Sequence, residues 1–92
     1  MNIPQITSIN EALKIYYNHS EIGNKEISLL FGRLSSATVS RLKKEVKEEM
    51  IKQNIFSYGM YKVNTEVAFK LWGIDVNDLE RRRKKLKMLE LQ

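Results

Sequence analysis

Apolar residues recur at helical spacing through most of this 92-residue chain. Ile9, Ala12, Leu13 and Tyr16 share one face, and Ser8 followed by Glu11 has the form of a capping box, so a first helix is predicted from Ile9 to about Asn18. Ile27, Leu30 and Phe31 mark the inward face of a second helix, with Asn24 as its cap. Gly32 is its stop, because glycine tolerates the left-handed geometry of a helix ending, and Gly32 to Leu34 form a turn. Ser35 or Ser36 then caps a third helix in which Val39, Leu42, Val46 and Met50 form a stripe among polar positions.

The period changes over residues 55–63, which alternate instead. Ile55-Phe56-Ser57-Tyr58 and Tyr61-Lys62-Val63 flank Gly59-Met60, and a two-residue Gly-X loop suits a type II′ turn, so a short β-hairpin is expected. The alternative is an irregular connector whose aromatics cover the core. Helical spacing returns after Asn64 or Thr65, either of which can cap a short helix through Trp72. Gly73 stops that helix, and Ile74 suits the hydrophobic contact of a Schellman ending. Asp75 or Asn77 caps a last helix carrying Val76, Leu79, Leu86 and Leu89, with acids early and cations late as the helix dipole favours. The expected fold class is mainly α: three helices within 8–50, a hairpin at 55–63 and two C-terminal helices over 65–91, in a single domain spanning 1–92. The chain has no internal repeat and no Pro-, Gly- or Ser-rich linker.

Composition removes several function classes. There is no cysteine, so disulfides and thiolate zinc sites are excluded, and His19 alone cannot form a histidine metal site. His19 reads as a dipole partner at the end of the first helix. Met1 to Gln5 lack the basic flank and apolar run of a signal peptide, and no apolar stretch has membrane-spanning length, so a cytoplasmic protein is expected. There is no Gly-rich phosphate loop, no metal-ligand cluster, and no spacing among Ser36, Ser40 and His19 that suggests a triad. No enzyme activity, cofactor or small-molecule substrate is expected.

The charge is unevenly placed. Residues 1–80 carry ten Lys or Arg and ten Asp or Glu, so the net charge of +5 lies wholly in the last twelve residues. There Arg81, Arg82, Arg83, Lys84, Lys85 and Lys87 stand against Glu90, a block that would attract a polyanion.

Asn24-Lys25-Glu26-Ile27-Ser28-Leu29-Leu30-Phe31-Gly32, followed by Ser35-Ser36-Ala37-Thr38-Val39-Ser40-Arg41-Leu42, resembles a helix-turn-helix. An acidic and a branched apolar residue open the first helix, a small residue precedes a glycine by four positions, and Thr-Val-Ser-Arg-Leu opens the second. From Ser28 to Val39 is eleven positions where the usual motif has ten, so the turn is one residue longer, as winged variants tolerate. The longer turn leaves open which of Arg33, Ser35 and Ser36 meets a phosphate. The joint Leu71-Trp72-Gly73-Ile74-Asp75 looks similar to the tails of small prophage and mobile-element proteins of Gram-positive bacteria. The resemblance implies a helix-turn-helix core with the hairpin as its wing, and a sequence-specific double-stranded DNA-binding protein. It implies a transcriptional regulator of a phage or mobile element, acting as a homodimer, with a recognition helix over about 36–50.

At 100° per residue, with the apolar stripe inward, the outward positions of that helix are Ala37, Arg41, Lys44 and Glu48, flanked by Thr38, Ser40, Glu45 and Lys47. Ala37 and Thr38 are small enough to approach thymine methyls, Ser40 can bond a base or phosphate, and the Arg41 fork suits guanine O6 and N7. With Lys44 these are the candidate base contacts. Candidate phosphate contacts are Lys25, Arg33, Ser35, Ser36, Lys43, Lys47, Lys62, Lys84 and Lys85. Glu45, Glu48 and Glu49 reverse the sign, so the N-terminal half of the helix should approach DNA while the rest tilts away.

The run 81–87 admits three readings: a solvated helix end, a backbone clamp without sequence information, or the flanks of a dimer seam through Leu79, Leu86 and Leu89 that Arg82 would interrupt. A second functional reading makes the helices a protein–protein interaction or oligomerisation module of phage packaging or replication machinery. Membrane adhesion of the last helix is disfavoured, because Trp72 lies before the Gly73 break.

Overall fold

The computed structural model describes residues 3–90; Met1, Asn2 and the expected run of the last helix to 91 lie outside the described residues. The elements run α1 (Ile9–Asn18), β1 (Glu21–Ile22), α2 (Asn24–Phe31), α3 (Ser36–Lys52), β2 (Val63–Asn64), α4 (Thr65–Leu71) and α5 (Val76–Glu90). The fold is mainly helical, with one small antiparallel sheet in which Glu21 faces Asn64 and Ile22 faces Val63.

Helix ends follow side-chain capping chemistry. Ser8 Oγ accepts from the Glu11 N–H at 3.3 Å, Ser35 Oγ from Thr38 at 3.2 Å, and Asn64 Oδ1 from Val67 at 3.0 Å. Asp75 Oδ1 takes the N–H groups of Asn77 and Asp78, so Asp75 rather than Asn77 caps α5. The expected Asn24 cap is corrected: Asn24 is already helical and Gly23 holds the cap position. Gly23 donates its N–H to Glu26 Oε1 at 2.8 Å, which gives the buried Glu26 carboxylate a partner at the positive end of α2. Gly32 and Gly73 both have positive φ, +82° and +73°, and Ile74 donates to the Phe69 carbonyl at 2.9 Å in a Schellman closure.

The hairpin expected at 55–63 does not form. A type II′ turn needs positive φ at its first central residue, and Gly59 does not have it. Lys62 instead donates to the Gly59 carbonyl at 3.2 Å, so Met60 and Tyr61 are the central turn residues. Val63 and Asn64 then leave the turn to pair with β1, far earlier in the chain. The alternation was real but carried no ladder: Ile55 and Ser57 are half-buried, whereas Phe56, Tyr58 and Met60 are exposed.

Every element contributes to one core. Leu13, Ile22, Ile27, Leu30, Leu42, Val46, Val63 and Phe69 are almost wholly buried, each worth about 1.5–3 kcal/mol in apolar surface removed from water. Phe31 and Trp72 meet edge to face, their ring centres 5.4 Å apart, which joins the end of α2 to α4. The segment before α1 is tied in as well, since Thr7 donates its N–H to the Leu30 carbonyl at 2.9 Å and so satisfies one of the open carbonyls at the end of α2.

α5 is buried only along its first turns. Leu79 is buried, but Leu86 and Leu89 are 50% and 67% exposed. α5 packs on α1, and residues 84–90 of its second half are all exposed. The molecule is correspondingly long, 46 Å by 27 Å by 22 Å.

Candidate nucleic-acid interface

The capped start of α3 and the face opposite its core stripe form an exposed polar surface. Val39, Leu42, Val46 and Met50 point inward, which leaves Ala37, Ser40, Arg41 and Lys44 exposed along the first two turns. Thr38 is half-buried and its hydroxyl lies 2.9 Å from Ser35 Oγ, so it is engaged at the cap. Ser36, Arg33 and Lys25 are exposed around the helix entrance.

Two of the expected phosphate contacts bind the protein itself. Lys43 Nζ donates to the Tyr61 carbonyl at 3.1 Å, and Lys47 Nζ to the Met60 carbonyl at 3.4 Å. Each ammonium has three donors, so each keeps hydrogens for a second acceptor. Their effect is to draw the 56–62 loop against one flank of α3.

The other anchor of that loop is Glu21, which sequence reasoning missed. Its two carboxylate oxygens accept the N–H groups of Tyr58 and Gly59, both at 2.8 Å. Partial desolvation works to raise the Glu21 pKa, but the Gly59 N–H, the Ser57 hydroxyl, the Tyr58 N–H and the Lys62 charge together outweigh it and hold the carboxyl below its ordinary value. Lys62 lies with its stem against Gly59, where a Cβ would come within about 3.0 Å of it. Gly59 is not in a left-handed conformation, so a side chain there would meet the flexible Lys62 stem. No local pattern announced Glu21, because its partners are far along the chain.

The loop so held is apolar on its open side. Phe56, Tyr58, Met60 and Tyr61 are 83%, 99%, 78% and 72% exposed. A signal for this lay in the sequence: apolar residues at 56, 58 and 60 with Ser57 between them can face either way, and without a ladder the apolar side was left outward.

The basic run of α5 is partly neutralised. Arg81 and Arg82 both pair with Asp78, Arg82 Nε at 2.9 Å, and Arg83 pairs with Glu80 at 3.0 Å. The Arg81 hydrogen bond is the main reason the Asp78 carboxyl sits below its usual value. Lys84, Lys85 and Lys87 have no carboxylate partner among the described residues, so they carry the open charge of this helix. All three are exposed. His19 stands at the end of α1, where its N–H donates to the Ile15 carbonyl. Among the described residues no group of three acids or histidines could hold a metal ion, and no helix is long and apolar enough to cross a membrane.

Comparison of the chain with protein-family models, with curated proteins and with solved structures finds no match.

Proposed function

We propose that this chain is a sequence-specific double-stranded DNA-binding protein in which the N-terminal half of α3 enters the major groove. The observation that carries the reading is the exposed, capped start of α3, where Ala37, Ser40, Arg41 and Lys44 are exposed on the side away from a buried apolar stripe. Small side chains there allow close approach to base edges, and Arg41 and Lys44 supply hydrogen-bond donors toward them. The half-exposed and exposed acids Glu45, Glu48 and Glu49 follow within the next turns, so the helix is suited to end-on docking rather than to lying along the groove. The likeness of residues 24–42 to a helix-turn-helix extends the proposal to a cytoplasmic transcriptional regulator of a phage or mobile element, binding as a homodimer. In it, Lys84 and Lys85 add attraction to phosphates without sequence preference.

Selection of bound duplexes from a random pool at two salt concentrations tests this reading. An enriched palindrome is expected, and Arg41→Ala should weaken binding to it by about 1–3 kcal/mol while relaxing choice at one base pair. Equal loss on selected and random DNA would remove Arg41 from base reading.

A second reading rests on α5. Leu86, Met88 and Leu89 are all at least half exposed beyond the last buried leucine, as in a helix that packs on another protein. In that case no duplex would be retained at low salt, while light scattering would report a stable oligomer.

A further inference from the structure

We infer that the loop at 56–61 is an aromatic wedge that stacks on the bases of the bound DNA and opens the duplex beside α3. The inference rests on the DNA-binding reading and adds a second, chemically different contact to it.

Three observations point to it. Phe56, Tyr58, Met60 and Tyr61 are each more than 70% exposed within six residues, although a chain of this size has a core in need of such groups. The loop nevertheless has a defined shape, since Glu21 holds two successive N–H groups at its tip and Lys43 and Lys47 hold the carbonyls of Tyr61 and Met60. A shape held from both sides loses little conformational entropy when it binds. Finally, the charge around it suits a polyanion. Lys43 and Lys47 lie on the flank of α3 that carries the loop, and at 100° per residue Glu45 and Glu49 fall on the opposite flank. Lys62 follows directly, and the Glu21 carboxylate is turned onto the loop backbone.

Aromatic faces bordered by cations match nucleic acid better than they match an apolar protein surface. The cations meet phosphates while the rings stack on base faces, which stacking accepts in any sequence. Within an intact duplex those faces are covered, so insertion must part a base step and bend the helix. A wedge fixed to the flank of the recognition helix would part a step at a constant distance from the bases read by α3. That makes a flexible or mismatched step at that distance a determinant of affinity.

The experiment uses the full chain and a duplex chosen by the selection above, with 2-aminopurine placed at successive positions. Binding should raise the fluorescence severalfold at one or two neighbouring positions outside the segment read by α3. A mismatch at that step should tighten binding. Tyr58→Ser combined with Phe56→Ser should abolish the fluorescence rise and weaken binding roughly tenfold, with the thermal transition unchanged because both side chains are exposed. Tight binding with no fluorescence rise at any position, or a rise that survives in the double variant, would overturn the wedge and leave the DNA-binding reading standing. Absence of binding to any duplex would overturn both. If the double variant instead converts an oligomer to a monomer in light scattering and binds DNA as before, the loop is an interface between copies and the wedge is excluded.

Discussion

Removing the Glu21 carboxylate should release the loop while leaving the core folded. The side chain accepts two N–H bonds at 2.8 Å from Tyr58 and Gly59. A hydrogen bond to a charged group is worth about 1.5–3 kcal/mol when protected from water, and at this half-buried position solvent screening reduces each to about 1 kcal/mol. Glu21→Ala therefore loses about 2 kcal/mol of local stability, a factor of about 30 in the opening equilibrium of the loop. Hydrogen exchange measured residue by residue should show the protection of the 58 and 59 amides falling by that factor, or to the level of free loop amides if that comes first. Amides of α3 should change little. Glu21→Gln should fall between, since it keeps one acceptor but turns an NH2 group toward a donor.

The same contact predicts a pH dependence with a definite sign. The Glu21 carboxyl is held below its ordinary value in the folded protein, so its contribution is complete above the unfolded pKa of about 4.3 and is lost as pH falls through the lower folded pKa. The amide shifts of residues 58 and 59 should titrate together with a midpoint below that of a free glutamate. Unchanged protection in Glu21→Ala, or a midpoint at or above the ordinary value, would refute the latch.

Three further outcomes are expected. Gly73→Ala should cost about 1–2 kcal/mol, because φ is +73° but the space beside it is open; Gly32→Ala should cost more, about 2–3 kcal/mol, because φ +82° with ψ −164° is accessible essentially to glycine alone, and thermal melting will rank the two. Thr65→Val should be neutral or raise the melting temperature, since the buried Thr65 hydroxyl has no hydrogen-bond partner among the described residues and valine has the same shape; a loss above about 1 kcal/mol would show that the hydroxyl is satisfied in solution. Neutralising Lys84 and Lys85 together should weaken all duplexes alike and lower the salt slope of binding by up to about two, read from fluorescence anisotropy at several salt concentrations; an unchanged slope would place α5 away from DNA.

The helices were legible because their determinants are local. Ser8, Ser35, Asn64 and Asp75 each cap a helix within three residues of themselves, and the stripe Val39, Leu42, Val46, Met50 is a property of helical spacing alone. The same spacing marked out Ala37, Arg41, Lys44 and Glu48 as the outward side of α3, with Ser40 flanking them, and all five are exposed. The cap of α2 was misread because Asn24 has the commoner capping side chain, whereas Gly23 depends on Glu26 reaching back to its N–H.

What tertiary structure decided is whatever needs partners distant in the chain. Alternation at 55–63 could not reveal that β2 would pair with β1, or that Glu21 would hold the loop against α3, because strand pairing and side-chain reach across such separations leave no local period. Lys43 and Lys47 read only as candidate phosphate contacts, and folding alone sets the Tyr61 and Met60 carbonyls beside them. Leu86 and Leu89 carried the same apolar pattern as Leu79, yet of the three only Leu79 is buried. Sequence determined which face of each helix is apolar; the packing of one helix against another decided how much of that face water still reaches.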